Sequence, residues 1–266
     1  MPELPEVQTV VTTLLPHVRG ARIERVDLVR RDILRPSELD FPTRLAGRVI
    51  EQLQRRAKRI VFTLDDGNRF YIHLGMTGHL TFAPFDTPRE PHTHLLIDLA
   101  AGQVRFSDPR RFGGVFWMGS EAGDADLGPE PLRLRPGQLM KRLARTGRAI
   151  KTTLLDQRVI AGIGNIYADE ALFAARIHPL TPSNALDGEH ARRLNRGIKL
   201  VLSRAIKHRG STLRDYRDAN GDSGSAQLFH RVYDRAGKPC KVCRTTIERM
   251  VVQGRSTHFC PKCQIL

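Results

Sequence analysis

All four cysteines of this 266-residue chain stand near its C-terminus, as Cys240-x-x-Cys243 and, sixteen residues further on, Cys260-x-x-Cys263. Two such pairs at that separation have the spacing of a four-thiolate zinc site, in which one tetrahedral ion staples a hairpin too small for its own core. The same residues would also serve two disulfides. Adjacent Cys-x-x-Cys pairs in a chain without a secretory leader favour the metal. One structural Zn²⁺ on Cys240, Cys243, Cys260 and Cys263 is therefore expected. Between the pairs, Gly254-Arg255-Ser256-Thr257 sits where the hairpin turns, which directs an arginine outward.

The rest of the chain is long enough for two domains with proper cores. Its 43 Lys and Arg against 28 Asp and Glu leave a formal charge of +15 and a pI near 10.5. Such an excess points to a polyanion, most simply nucleic acid. A basic protein with no such partner, or one that lies on ribosomes or membrane surfaces, has the same composition. No run of eighteen apolar residues is present to span a membrane. The N-terminus also lacks the basic-then-apolar pattern of a signal peptide, so a cytoplasmic location is expected.

The opening, Met1-Pro2-Glu3-Leu4-Pro5-Glu6, crowds two prolines and two carboxylates into the chain's first residues. A small residue behind the initiator allows Met1 to be clipped, which makes Pro2 a free secondary amine. An α-amino group has a pKa of about 7.7–8.0 against about 10.4 for lysine, so far more of it is neutral at pH 7. A neutral amine beside an acid is a nucleophile for an aldehyde-like carbon. The plainer use of these prolines is to stiffen a helix approach. Val7, Val10, Val11, Leu14 and Leu15 then lie on one apolar helical face, with Pro16 near its stop.

From about residue 21 to 118 the pattern is of strands. Segments 60–64 and 69–74 flank the turn Asp65-Asp66-Gly67-Asn68, and 94–99 and 103–106 flank Ala100-Ala101-Gly102. Short strands with regular turns predict a sandwich or flattened barrel. Residues 119–137, rich in Gly and Pro, read as a linker. Helices follow at 139–145, 149–155, after Gly162-Ile163-Gly164-Asn165, and at 189–207, while 214–227 reads as a mobile surface loop. His92 and His94 alternate without a third ligand, so no metal site is expected there.

Several of these segments together resemble the bacterial formamidopyrimidine-DNA glycosylases. They are Pro2-Glu3-Leu4-Pro5-Glu6-Val7, Arg55-Arg56-Ala57-Lys58, Leu74-Gly75-Met76-Thr77-Gly78, Asp108-Pro109-Arg110-Arg111-Phe112-Gly113, Gly162-Ile163-Gly164-Asn165 and the four-cysteine end. The resemblance implies an α+β chain: an N-terminal β-sandwich with an attached N-terminal helix over 1–133, a helix-two-turn-helix domain over 134–235, and a zinc-finger β-hairpin over 236–266. It implies a bifunctional glycosylase and AP lyase of base excision repair acting on oxidised purines in double-stranded DNA, working as a monomer.

In that resemblance Pro2 is the nucleophile, Glu3 the acid, and Lys58 and Arg255 complete the catalytic set. Met76, Arg110 and Phe112 fill the hole left by an extruded base, a use for which such wedges are suited. His92, Lys151 and Asn165 become DNA contacts and Glu6 lines the base pocket. Departures fall at the residues flanking His92, before Lys151 where only Arg145 and Arg148 remain of a basic run, and at Ala226 and His230 in the segment that covers the base. An endonuclease VIII-like enzyme for oxidised pyrimidines shares the Pro-Glu start and the zinc hairpin, but Leu4 and the separated Met, Arg and Phe argue against it. A non-catalytic zinc-ribbon DNA-binding protein would need neither a clipped Met1 nor Glu3.

Overall fold

The computed structural model describes residues 2–121 and 123–266. The chain opens with α1 (Leu4–Val18), followed by β1 (Ile23–Leu28), β2 (Leu34–Arg35), the short α2 (Phe41–Leu45), β3 (Ile50–Arg56), β4 (Arg59–Leu64), β5 (Arg69–His73), β6 (His79–Ala83), β7 (Thr93–Leu99), β8 (Gly102–Ser107) and β9 (Gly114–Gly119). Helices α3 (Pro136–Leu143), α4 (Ile150–Leu155), α5 (Asn165–Ala175) and α6 (Gly188–Lys207) follow, and the hairpin β10 (Glu248–Val252) and β11 (Arg255–Phe259) closes the chain.

The strands before residue 120 make two sheets, β1-β7-β8-β6 and β2-β9-β5-β4-β3. All pairs are antiparallel except β2 with β9. Alternation decides the core: β4 buries Ile60, Phe62 and Leu64 and leaves the residues between them half-buried. Phe62 stacks on Phe70 at 4.6 Å between ring centroids, and Phe41 meets Phe70 edge-on at 5.2 Å. Onto this core α1 lays Val7, Val10, Val11 and Leu14, all buried, as its spacing predicts. Pro16 does not end the helix; it is accommodated inside the last turn, which runs on to Val18.

Strands β3, β6 and β9 escape a reading by alternation. In β3 a bulge between Ile50 and Gln52 breaks the period, and β9 buries only its first two residues. The helical segments match their periodicity closely. α6 buries Leu194, Ile198, Leu202 and Ala205 and keeps its charges outside.

The chain forms two compact units, Met1–Asp124 with His208–Ser225, and Ala125–Lys207 with Ala226–Leu266. The segment 208–225 therefore packs with the sheets, although in sequence it follows the helices. The loop expected to be mobile at 214–227 falls largely within this segment and is pinned by buried residues. Tyr216, Asp218 and Ala219 are buried. Asp218 accepts from the backbone N–H of Asn220 and Asp222 at 3.0 Å each and pairs with Arg209 at 2.5 Å. Ala219 donates to Thr13 Oγ1 of α1 at 3.1 Å and accepts from Phe82 N–H at 2.9 Å. The polar residues that suggested mobility spend their hydrogen bonds on the loop itself.

Candidate active site and nucleic-acid interface

Pro2 and Glu3 are buried at the head of α1. The residue that holds them is Glu6, one turn on. Its Oε2 accepts Glu3 N–H at 2.9 Å, which satisfies one of the donors a helix start leaves unpaired. Its Oε1 accepts Ser211 N–H at 2.7 Å, and its carbonyl accepts the Tyr216 hydroxyl at 3.1 Å. Gly210, at a left-handed φ of +76°, lets the chain run against this carboxylate, since an added Cβ would come within 2.8 Å of Glu6 Oε1. One carboxylate thus fixes both the peptide beside Pro2 and the base of segment 208–225. Burial, with the Glu6 carboxylate beside it, pushes the Tyr216 hydroxyl well above its usual range, so it stays a donor.

Lys58 stands in the tight turn between β3 and β4, where Ala57 takes a left-handed φ of 54° and Lys58 is largely buried. Arg55, just before the turn, donates from Nε to Gln8 Oε1 of α1 at 3.0 Å, which ties the turn to the first helix. Opposite Arg59 in the ladder is His73, a residue that motif reading passes over. Burial first, and the charges of Lys58 and Arg59 next, lower its pKa to about 4. Its Nδ1 accepts Gly75 N–H at 3.1 Å, so a neutral imidazole sets the turn that leads to Met76. The only sequence signal for it is its place at the end of β5, directly before Leu74-Gly75-Met76.

Met76, Arg110 and Phe112 are all exposed, two of them large apolar side chains at 43% and 56%. The Arg110 guanidinium lies 4.4 Å from the centroid of the Phe112 ring. Two loops carry the three residues, and one buried carboxylate, Asp108, binds both loops. It accepts Thr77 Oγ1 at 2.6 Å, Gly113 N–H at 2.7 Å and Arg110 N–H at 3.3 Å. Glycines let the loops touch backbone to backbone: a Cβ on Gly75 would sit 2.3 Å from Gly113 N, and one on Gly113 would sit 2.4 Å from His73 O. The exposed wedge is rigidly founded, which exposed apolar residues on loose loops are not. His92 lies nearby in sequence, exposed in a left-handed conformation at φ 61°. His94 is buried and its Nε2 meets Asp108 O at 2.9 Å, so the two histidines do not share a face.

In the other unit, α5 starts at Asn165 behind the glycine N-cap Gly164. The positive end of a helix, where backbone N–H groups point outward, favours an anion such as phosphate. Asn165 Nδ2 donates to the carbonyl of Ser256 at 2.9 Å, and its Oδ1 is buried without a partner among the described residues. Lys151, expected as a DNA contact, is instead fully buried. Its ammonium is 2.6 Å from Asp169 Oδ1 and 2.8 Å from that same Ser256 carbonyl. A charge removed from water must find its partner within the protein, and here it has done so. Arg255, next to Ser256, is exposed at the start of β11. The turn before it, Gln253-Gly254, has both φ values positive, as a two-residue hairpin loop requires.

The four cysteine sulfurs lie within 4.8 Å of one another, with Cys243–Cys260 at 3.4 Å and Cys240–Cys263 at 4.0 Å. Bonded sulfurs would be about 2.05 Å apart. Thiolates about 2.3 Å from a tetrahedral ion stand roughly 3.8 Å from each other, so the set fits one Zn²⁺. The N–H of Val242 points at Cys240 Sγ at 3.4 Å, a donor that steadies a thiolate.

Three family models match consecutive stretches of the chain: the formamidopyrimidine-DNA glycosylase N-terminal domain over 1–115, its H2TH domain over 127–217, and the zinc finger found in FPG and IleRS over 237–265. A formamidopyrimidine-DNA glycosylase of Chloroflexus aggregans is 48% identical, with 100% of this chain and 99% of that protein covered. The Bacillus subtilis enzyme of the same name is 43% identical, with 99% of each covered. Among solved structures, a Lactococcus lactis Fpg variant bound to DNA containing Fapy-dG superposes with a TM-score of 0.93 at 34% identity over 100% of both chains. The MutM (Fpg) protein of Thermus thermophilus gives 0.88 at 42% identity, over 99% of this chain and 98% of that one.

Proposed function

The chain belongs to the formamidopyrimidine-DNA glycosylase family, and we propose that it is a bifunctional DNA glycosylase and AP lyase that excises oxidised purines, 8-oxoguanine and formamidopyrimidines, from double-stranded DNA. The observation that carries this reading is the head of α1, where Pro2 and Glu3 are buried and the Glu3 peptide is fixed by Glu6. Glu6 caps the helix start, as a residue three positions past the N-cap often does, but it also holds Ser211 N–H at 2.7 Å, which a helix approach alone does not require.

With Met1 removed, the Pro2 nitrogen attacks C1′ of the damaged nucleoside. The electrons of the glycosidic bond leave with the base, and Glu3 delivers a proton to the opening sugar. The resulting Schiff base makes C2′–H acidic, and loss of that proton expels the 3′-phosphate; a second elimination expels the 5′-phosphate. Lys58 and Arg255 are the cations assigned to these phosphates, and Asn165 at the start of α5 is assigned a phosphate contact as well. Met76, Arg110 and Phe112 take the place of the extruded base. His92 touches the backbone nearby. Zn²⁺ on four thiolates has no open position for water and supplies structure only. Among the described residues no helix is long and apolar enough to cross a membrane. A monomer working on cytoplasmic DNA fits this reading.

Borohydride trapping tests it. Protein that starts at Pro2 should become covalently linked to duplex DNA containing 8-oxoguanine, and Pro2→Gly should trap far less while still binding. Glu3→Gln should bind the lesion yet fail to release the base. If protein with a tag left ahead of Met1 still excises and traps, the nucleophile is a side chain and the assignment is wrong.

A further inference from the structure

Lys151 and Asp169 form an ion pair with no exposed side-chain surface on either partner. Such a pair is a poor device for stability alone, because apolar residues of similar size do as well without the desolvation of two charges. What distinguishes this one is the set of backbone groups it fixes. Lys151 Nζ donates to Ser256 O at 2.8 Å, and Asp169 Oδ2 accepts His258 N–H at 2.9 Å and lies 3.2 Å from His258 Nδ1. Ser256 O also accepts Asn165 Nδ2 at 2.9 Å. The ion pair therefore grips alternate residues of β11 from α4 and α5. The residue just outside that grip is Arg255, and the side chain sharing the Ser256 carbonyl is Asn165.

We propose that Lys151 is a positioning residue: paired with Asp169, it sets the Ser256 carbonyl, and through it holds Arg255 and Asn165 as a fixed two-pronged phosphate clamp. This rests on the assignment of Arg255 and Asn165 to DNA phosphates. The lysine itself never meets the DNA. It ties α4 to a carbonyl 105 positions away in sequence, on an element with little apolar core to hold it. A merely structural lysine would be replaceable by any side chain that restores folding. A positioning lysine would not.

The test uses the zinc-loaded, full-length enzyme with Lys151→Met, Arg255→Ala and the double variant. Binding to duplex carrying a tetrahydrofuran abasic analogue should weaken about tenfold in each single variant, a change of about 1.4 kcal/mol by the affinity relation. The double variant should be no worse than Arg255→Ala alone, since the clamp is already broken. Lys151→Met should also shift the cut products of natural abasic sites from double towards single elimination, as Arg255→Ala should, while borohydride trapping at Pro2 survives. Zinc should stay at one per chain. If Lys151→Met proves unfolded, Lys151→Met with Asp169→Asn removes both charges and leaves no unpaired one buried; it should fold and show the same non-additivity. Additive losses, or a salt slope in the double variant reduced by roughly a further 0.9 beyond that of Arg255→Ala, would overturn the proposal in favour of direct contact. Restored product ratios in the refolding double variant would overturn it in favour of a plain stability role. Failure of the wild-type protein to bind the analogue or trap would instead strike the assigned function.

Discussion

In the sheet unit, α1 is held by Val7, Val10, Val11, Leu14 and Val18 against a core that includes Phe41, Phe62, Phe70 and Phe106. The C-terminal hairpin packs around a small cluster of Phe173, Val232, Cys240, Ile247 and Cys260, and two of those are metal ligands. It is held by polar pins. Glu170, buried on α5, accepts the N–H groups of Arg231, Val232 and Tyr233 at 2.8–3.0 Å. Its neighbour Asp169 takes His258, and Gln264 bridges Cys260 N–H to the carbonyl of Ile177. Apolar burial needs only the right size and spacing, whereas each polar pin needs a particular group in a particular place. The second arrangement suits a small element that must present one arginine accurately.

The sharpest way to break this contrast is to take away the metal. Structural Zn²⁺ contributes about 10–16 kcal/mol of apparent binding energy in isolated fingers, so Cys243→Ser should unfold the hairpin outright. DNA binding should vanish with it. Trp117, the sole tryptophan, lies on β9 and reports the sheet unit alone. Its urea transition should keep its midpoint in Cys243→Ser, and elemental analysis should find no zinc. A metal-free protein with full DNA affinity would show that the hairpin has a sufficient core after all.

The opposite change is Leu14→Ala. Leu14 is fully buried on the apolar face of α1, and large-to-small changes at such sites cost about 2–5 kcal/mol. The loss should appear in the Trp117 transition while zinc content stays at one per chain. Zinc lost together with the helix packing would mean that the two means of support are not separable.

The same contrast explains what could be read from the sequence. The apolar face of α1, the alternation in β4 and β5, α6 and the four cysteines were all legible, because periodicity and spacing are local properties. So were Pro2, Glu3, Arg110, Phe112 and Arg255 as candidates, through motif resemblance. What local pattern does not carry is the identity of the partner of a polar group. Glu6 meets Ser211 across 205 positions, and Lys151 meets Ser256 across 105. Lys151 is a DNA contact by motif resemblance, and only the fold reveals Asp169 against it. Residues 214–227 read as a mobile loop because their acids and glycines look solvent-facing until Tyr216, Asp218 and Ala219 are seen buried. His73 has no motif of its own and is identified by its neighbours alone.

Glu6→Gln probes a polar pin of the sheet unit, with a smaller effect. The carboxylate accepts Glu3 N–H on one oxygen and Ser211 N–H on the other. An amide can accept on one side only, so one buried N–H loses its partner at a cost of about 1–3 kcal/mol. Amide exchange should quicken at Glu3 or Ser211, and proteolysis within 208–225 should become faster, with the Trp117 midpoint only slightly lower. Unchanged exchange at both amides would remove Glu6 as the brace of this corner.

Acid should affect both units alike, and by the smallest amount. His73 in the sheet unit and His230 in the helical unit each have a pKa lowered to about 4, in both cases chiefly by burial. Lys58, Arg59 and Asp108 face the first; Asp234 and Lys241 face the second. In the unfolded chain both imidazoles take up a proton near pH 6.5, but in the folded chain neither does until about pH 4. Between those values the unfolded state binds more protons, so stability must fall as pH drops through 6.5 towards 4 and level off above neutrality. At one pH unit below 6.5 each histidine should account for about 1 kcal/mol. His73→Asn offers an amide oxygen near the place of Nδ1, which can still accept Gly75 N–H but does not titrate. Urea midpoints measured at pH 7 and 5.5 should therefore differ less in His73→Asn than in the wild type, by one proton's share in the Trp117 signal. An identical acid shift in the two proteins would mean that His73 is already charged in the folded state, and that the turn leading to Met76 rests on a different contact.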